Sequence, residues 1–472
     1  MRPIIVLLVA LLLAACAIGP DYKRPVIDTP QSWRIDEKEA MDLANTAWWE
    51  QFNDPVLNDL IETSLKENTD LKIAAARVEE YVGRYWVGRS SLFPQIYASG
   101  DAGRQRLSER GITPVPSSVK NPSTLYEGYF SGSWEIDIWG RLRRLKEAAR
   151  ADLLSTEEGR RSVILTLVSS VANGYVNLRD LDKQLEVAER TAKSRETSYK
   201  LFKLRFEGGL ISELELSQVK SEYELALSRI PSIQKQIGFQ ENALSVLLGM
   251  NPGPIPRGRS IDELSLPTVP AGLPSDLLER RPDIRQAEQD LVAANARIGA
   301  AKALYFPTIS LTGLFGWSST DLSMLFSEPS QTWSWAGTFV APVFTGGAVT
   351  GNYMAAKAVQ QQALFQYQKA IQTAFSEVNN SLIDQNRTRE QLSSQQQQVG
   401  TLRDYARVAR LRYDEGYTSY IEVLDAERSL FDAELSYTQT QGVLFQSLVN
   451  LYKAMGGGWV TEAEKMTLKG GP

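Results

Sequence analysis

One unit occurs twice in this chain, and no other feature limits the fold as strongly. Asp70 to Gly249 resembles Asp283 to Gly456. At the start of the unit the offset is 213 residues, carrying Asp70 onto Asp283 and Phe93-Pro94 onto Phe306-Pro307. Further along it is 207, carrying Leu204-Arg205-Phe206 onto Leu411-Arg412-Tyr413 and Gly209 onto Gly416. The six-residue difference belongs to a loop that varies between the copies, Leu107 to Thr124 in the first and Ser318 to Gln331 in the second. Each copy reads as a helix, two strands, a long helix, a tight turn and a further helix.

The helices carry a heptad frame. Ile164, Val168, Val171, Tyr175 and Leu178 alternate steps of four and three, and after one stammer Leu181, Leu185, Ala188, Ala192, Arg195, Tyr199, Phe202 and Phe206 continue. In the second copy the frame runs from Ile371 to Tyr413, with polar substitutions such as Gln385, Thr388 and Gln395. Beyond the turn, Leu216, Val219, Tyr223, Ala226 and Ile230 keep the rule, matched by Val423, Ala426, Leu430, Ala433 and Tyr437. A 3.5-residue period sustained this long predicts coiled-coil packing. Pro231 predicts a local bend. Arg141 to Phe206 is 66 residues, about 100 Å as helix. Asn68 to Leu92 and Ser212 to Gly249, 25 and 38 residues, match it when stacked end to end. Arg280 to Leu304 and Thr418 to Met455 repeat the relation against Gly347 to Tyr413. The expectation is a wall of antiparallel coiled coil.

Strand signals sit between the helices, at about 94–105, 125–139, 307–318 and 331–344. From Tyr126 to Ile138 the even positions are Tyr, Gly, Phe, Gly, Trp, Ile and Ile, and the odd ones are polar apart from Tyr129. Ile309, Leu311, Gly313, Phe315 and Trp317 alternate likewise, as do Trp333, Trp335, Gly337 and Phe339; Gln95 to Arg104 is the weakest of the four. A soluble sandwich explains the alternation locally. Aromatic bands in an exported chain favour lipid on the apolar side. Four strands cannot close a transmembrane barrel, which needs about eight at the least, so the chain is expected to oligomerise.

Export is read from the N-terminus. Arg2 precedes the apolar run Ile4 to Leu13, and Leu13-Ala14-Ala15-Cys16 has the form of a lipobox. Residues 1–15 then read as a lipoprotein signal peptide, and the only cysteine becomes an anchor carrying diacylglycerol and an N-acyl group; the alternative is an ordinary signal with a chance cysteine. Ala17, where Asp would favour inner-membrane retention, points to outer-membrane sorting. With no His and one Cys, Ser-His-Asp triads, Cys-His pairs, two-His zinc sites and internal disulfides cannot be built from this chain. No cofactor is expected beyond the lipid, and no enzyme reading has support. A formal charge of −5 argues against a nucleic-acid surface.

These residues resemble a known pattern. Gly19-Pro20-Asp21-Tyr22, Trp48-Trp49 with Phe52, Asp54 and Leu57, Leu278-Glu279-Arg280-Arg281-Pro282-Asp283-Ile284, Phe306-Pro307, and Asn450-Leu451-Tyr452-Lys453-Ala454 leading to Gly456-Gly457-Gly458-Trp459 occur in order. Together with the repeat they make the chain similar to TolC-like outer-membrane factors of the lipoprotein (NodT) type, over nearly all of its mature length. The resemblance implies a homotrimer in which four strands per chain close a 12-stranded barrel in outer-membrane lipid and the helices form a periplasmic α-barrel. It also implies a periplasmic adaptor and an inner-membrane efflux pump, of the RND type, as partners. The segments are then 1–15 signal, 16–67 anchored N-terminal segment, 68–249 first repeat, 250–279 inter-repeat segment, 280–456 second repeat and 457–472 tail.

A duct needs a closable end, and chain reversals far from the strands occur at Glu207-Gly208-Gly209-Leu210 and Asp414-Glu415-Gly416-Tyr417. Ser212-x-x-Glu215 and Ser419-x-x-Glu422 follow, each with the form of a capping box. The resemblance carries an aperture-lining acidic pair onto Glu422 and Asp425. Asp425 is the one that capping does not explain, and the first copy has Gln218 in its place. The family's closing tyrosine falls on Tyr413 and its arginine on Thr418, so Arg205 and Arg412 are the candidates to replace that arginine. Glu135 and Asp137 are candidate lumen groups or plain hydrated wall. Three readings follow: a duct for drugs or metal ions, an exit duct for secreted polypeptides, and a structural coiled-coil lipoprotein without a pore.

Overall fold

The computed structural model describes residues 17–25, 47–111, 116, 120–266, 277–456 and 460. The signal peptide, Cys16, parts of the N-terminal and inter-repeat segments, and the tail apart from Val460 lie outside them. After a 3-10 turn at Trp48–Phe52 come α1 (Pro55–Glu67), α2 (Thr69–Ser90), β1 (Gln95–Gln105), β2 (Ser123–Ile136), α3 (Arg141–Glu207) and α4 (Glu213–Leu247). Then follow α5 (Leu277–Arg280), α6 (Pro282–Ala303), β3 (Thr308–Ser319), β4 (Gln331–Val340), α7 (Ala348–Asp414) and α8 (Tyr420–Ala454), with short 3-10 turns between. In order and length α2, α3 and α4 are matched by α6, α7 and α8, at 22, 67 and 35 residues in both halves. Among the described residues no helix is long and apolar enough to cross a membrane.

The strand ends differ from expectation for local reasons. β2 stops at Ile136, short of Ile138. Beyond it Asp137 accepts from the backbone N–H groups of Leu142 and Arg143 at 3.0 and 2.8 Å, starting α3. Glu135 is taken up by Arg141 in a two-pronged pair, with 2.7 and 2.9 Å contacts. Both carboxylates therefore serve the strand-to-helix junction. β4 ends at Val340, two residues before Pro342, which has no N–H to give a ladder. β1, the faintest pattern, pairs with β2 along its whole length.

The chain divides into two compact units. The first comprises 1–26, 77–156 and 286–367, and holds the antiparallel sheet in the order β1-β2-β3-β4. Below the strands, Ala148 and Ala151 of α3 meet Ala293 and Ala296 of α6, small side chains that allow close helix approach. Trp139 stacks on Phe306 at 4.8 Å and donates its indole N–H to Pro307 C=O at 2.7 Å, which accounts for the Phe306-Pro307 pair.

The second unit comprises 27–76, 157–285 and 368–472. Its core follows the heptad frame: Ile164, Val168, Val171, Tyr175 and Leu178 are fully buried, as are Ile371 and Val378. Gln385 and Thr388 keep frame positions buried in polar form, whereas Phe206 at the end of α3 is exposed. α4 runs unbroken through Pro231. Trp48 stacks on Tyr452 at 4.8 Å, and Phe52 packs on Phe445. Asp54 is wholly buried and satisfied by Tyr175 Oη at 2.7 Å and the N–H groups of Val56 and Arg259. Arg281 is buried between Asp283 and Glu377, both at 2.7 Å, and caps α8 by donating to Ala454 C=O.

Candidate functional site

The two helical reversals are built alike, because the same residue types occupy the same positions. At the end of α3, Leu210 N–H reaches Arg205 C=O at 2.8 Å and Gly209 N–H reaches Phe206 C=O at 2.9 Å. At the end of α7, Tyr417 N–H reaches Arg412 C=O and Gly416 N–H reaches Tyr413 C=O at those same distances. Both are Schellman ends whose left-handed residue is glycine, with φ of 73° at Gly209 and 78° at Gly416.

The next residues diverge. Ser212 and Glu215 form the expected capping box: Glu215 accepts from Ser212 N–H at 2.9 Å and Ser212 Oγ accepts from Glu215 N–H at 3.3 Å. Ser419 makes no side-chain cap, so the second box does not form. Glu422 turns instead to Arg412, whose Nη1 donates at 2.9 Å, and to the Thr418 hydroxyl. A guanidinium one turn away on the facing helix outcompetes a neutral backbone N–H for the carboxylate.

The hairpins are tied to each other near these ends. Arg205 of α3 donates to Tyr413 Oη of α7 at 2.8 Å and lies 5.9 Å from that ring. Phe202, Val219, Ala409, Tyr420, Val423 and Ala426 pack beneath, with Phe202 and Tyr420 ring centroids 4.1 Å apart. Lower down, Glu222 of α4 binds Arg195 of α3 at 3.1 Å and Arg428 of α8 at 2.5 Å. Glu434 of α8 likewise joins Arg190 of α3 and Arg403 of α7. Of the predicted site residues, Tyr413, Glu215 and Glu422 are engaged. Asp425 is exposed on α8 and has no hydrogen bond or ion pair among the described residues.

Burial shapes the charges here. Desolvation pushes the Arg195 guanidinium down and Glu222 opposes it. Burial pushes the Glu427 carboxyl up, Glu222 adds to that, and Arg410 and Arg195 pull it back. The Glu222 and Glu434 bridges lie beyond sequence reasoning because their partners are up to 206 and 244 residues apart. One signal is present: Arg195 occupies a heptad core position, where a charge needs a buried partner.

The sheet supplies a second functional surface. Its register puts Tyr126, Phe130, Trp134 and Ile136 opposite Ser319, Phe315, Leu311 and Ile309, and sets Phe315, Gly313 and Ile309 opposite Trp333, Trp335 and Phe339. One face is therefore apolar and aromatic across β2, β3 and β4, with Trp335 77% exposed, and β1 extends it with Ile96, Ala98, Gly100 and Ala102. The other carries Ser131, Ser133, Thr312 and Ser334, and a hollow of about 380 Å³ lies against it. The outer edges of β1 and β4 have no strand partner among the described residues. Among the same residues no cluster of acidic or sulfur groups could hold a metal ion.

A family model described as outer membrane efflux protein matches residues 60–250 and again 273–457. The chain is 37% identical over 464 residues to the toluene efflux pump outer membrane protein TtgC of Pseudomonas putida, covering 95% of this chain and 94% of that one. It is 35% identical over 460 residues to the cation efflux system protein CusC of Escherichia coli, covering 96% and 97%. Among solved structures it is similar to the open state of the Neisseria gonorrhoeae MtrE outer membrane channel, with a TM-score of 0.85 and 31% identity over 94% of this chain and 99% of that one. A CusC crystal structure gives a TM-score of 0.83 at 34% identity, over 93% and 99%.

Proposed function

The chain belongs to the outer membrane efflux protein family, and on that premise we propose that it is the outer-membrane duct of a tripartite efflux system. It passes small molecules, drugs or metal ions, from an inner-membrane pump and a periplasmic adaptor to the exterior. The observation that carries this reading is the register of the sheet, which gathers apolar and aromatic side chains on one face and hydroxyls on the other. Lipid outside and water inside is the partition such a wall needs. A spacer without a pore needs no such sheet. The secretion alternative is disfavoured by the relatives, which are named for toluene, antibiotics and cations.

The finer features of the reading are these. Three copies pair the open edges of β1 and β4 and close a 12-stranded barrel; four strands with two free edges support this, since a barrel must leave no edge in lipid. Cys16 carries diacylglycerol and an N-acyl group and anchors the chain to the outer membrane. The pump is of the RND type. The tips of α3–α4 and α7–α8 form the periplasmic aperture. Tyr413 is held there by Arg205, and Glu422 by Arg412. Three exposed Asp425 carboxylates make a cation-attracting ring, while Glu215 is occupied as a helix cap.

Reconstitution tests the reading. Purified protein is expected to run as a heat-dissociable trimer in detergent and to give discrete, cation-preferring conductances in a planar bilayer. A monomer that gives no conductance overturns it. Deleting the gene is expected to sensitise cells to a small toxic compound and leave protein export intact.

A further inference from the structure

The Gly19-Pro20-Asp21-Tyr22 motif takes no part in the wall or the tips, yet residues 17–25 are held by a dense set of directed contacts. Ile18 N–H donates to Trp139 C=O at 3.0 Å. A side chain on Gly140 would fall 2.7 Å from Ala17 Cα, and one on Gly299 would fall 2.8 Å from Ile18 C=O. Gly19, at φ 120°, lies directly against the Gly299 backbone. Asn295 donates to Pro20 C=O at 3.0 Å, and buried Arg144 binds Asp21 at 2.6 Å. Glu288 accepts from Tyr22 Oη at 3.1 Å and from Arg24 at 2.9 Å. The residue before α3, Gly140, and Gly299 of α6 thus lack side chains where the segment crosses, and both helices supply polar groups beside it.

The location of this seat gives it a use. Trp139, which holds Ile18, lies three residues past the end of β2, and its indole binds the residue before β3. The seat is therefore at the root of the central strands, where the apolar face begins with Ile136 opposite Ile309. Cys16 is two residues from Ile18 in sequence, a tether of about 7 Å at most. We propose that Gly140, Gly299, Arg144, Asn295 and Glu288 form a seat for residues 17–25 that fixes the height of the lipid anchor against the apolar band of the sheet, and that seating directs insertion into the membrane. The proposal rests on the reading of Cys16 as acylated.

The test uses the full chain expressed in cells, with three readouts: the mass of the N-terminal peptide, the rate of trypsin cleavage after Lys23, since Pro25 shields the bond after Arg24, and the fraction of chain in SDS-resistant oligomer in the outer membrane. Asp21→Ala combined with Asn295→Ala is expected to accelerate cleavage at least about tenfold, because cleavage needs local release of the segment. It is expected to lower the inserted fraction with acylation unchanged. Gly299→Val should do the same by steric exclusion. A second change separates height from fold: eight Gly/Ser residues inserted between Ala17 and Ile18, the last of them taking the place of Ala17 beside Gly140, leave Ile18 to Pro25 seated but lengthen the tether by ~16 Å. This variant should resist trypsin at Lys23 like the wild type and still insert at least about threefold less. Normal insertion of the long-tether variant overturns the proposal, and so does unchanged cleavage in the Asp21/Asn295 variant. A wild-type N-terminal peptide without acyl mass refutes the anchor instead, and is seen independently of any variant.

Discussion

Arg205 Nη1 donates a 2.8 Å hydrogen bond to Tyr413 Oη, joining the last turn of the first long helix to the last turn of the second. The same guanidinium lies 5.7 Å from the Phe202 ring and 5.9 Å from the Tyr413 ring. A polar tie and two ring contacts therefore hold the hairpins together at the tip. Tyr413→Phe removes only the hydrogen bond, about 1 kcal/mol, whereas Arg205→Ala removes the ring contacts as well, about 1–2 kcal/mol in all. In bilayer recordings both are expected to raise the time spent open, Arg205→Ala more than Tyr413→Phe. Open times equal to wild type in both would remove this tie from the closing device.

Asp425 and Glu215 are both tip carboxylates, and their surroundings separate their roles. Glu215 is committed to Ser212, whereas Asp425 is exposed without a hydrogen bond or ion pair among the described residues. Asp425→Asn is expected to move the reversal potential in a salt gradient toward zero. Glu215→Gln should leave it in place while costing about 1 kcal/mol of helix stability. The reverse order of effects would show that the first hairpin lines the aperture.

Glu222 neutralises two arginines from different helices, and one of them, Arg195, is buried. Glu222→Ala leaves that guanidinium without its ion-pair carboxylate, with only Glu427 and Asp432 acting on it, and is expected to cost up to about 3–5 kcal/mol. Replacing Arg195 and Glu222 together by Leu and Met should restore much of the loss, because the desolvation penalty goes with the charges. Thermal melts of the detergent-solubilised protein read both; equal losses in the single and double variants would contradict the buried-charge account.

These cases mark what sequence can and cannot supply. The alternation through Phe130 and Trp134 and the frame through Val168 and Tyr175 are local periodicities, and both appear in the structure as a face and a core. Parity makes Asp137 a strand residue, but parity cannot register that the chain leaves the sheet at Ile136 and that a helix start needs an acceptor. Ser419 and Glu422 have the spacing of Ser212 and Glu215, yet Arg412 reaches Glu422 across the turn. Motif spacing describes one helix end, and competition from the neighbouring helix is invisible to it.

Asp180 gives the second unit a pH dependence of definite sign. It is buried against Gly442 of α8, where a side chain would lie 2.9 Å from its Cγ, and Gln184 donates to it at 3.0 Å. Burial pushes its carboxyl up to about 6, with the Gln184 bond pulling the other way. Because the folded value lies above the ordinary one, the contribution to stability is complete below the unfolded carboxylate range and lost as pH rises through about 6. Keeping this carboxylate ionised inside the fold costs about 3 kcal/mol at neutral pH. Asp180→Asn should therefore raise the melting temperature at neutral pH and have little effect below pH ~4; a gain of equal size at both would refute the titration.

Leu311 and Thr312 are consecutive residues near the middle of β3 and point to opposite faces of the sheet. Leu311 lies opposite Trp134 and Gly337 on the aromatic face, and Thr312 lies opposite Ser133 and Ala336 beside the hollow. If the aromatic face meets lipid, Leu311→Arg puts a charge into the apolar band one same-face pair above its edge, at a cost per chain that rises toward about 2–4 kcal/mol only at the midplane. In the proposed trimer that cost is incurred three times in one assembly, which should shift protein out of the membrane. Thr312→Arg adds the same charge on the hydroxyl-bearing side, so the protein should still insert. Its conductance should fall, and its preference should move toward anions, because the new cation lines the pore. Fractionation of cells followed by bilayer recording distinguishes the two. Equal insertion of both variants would mean that neither face of the sheet is buried in lipid, and the opposite pattern would turn the wall inside out.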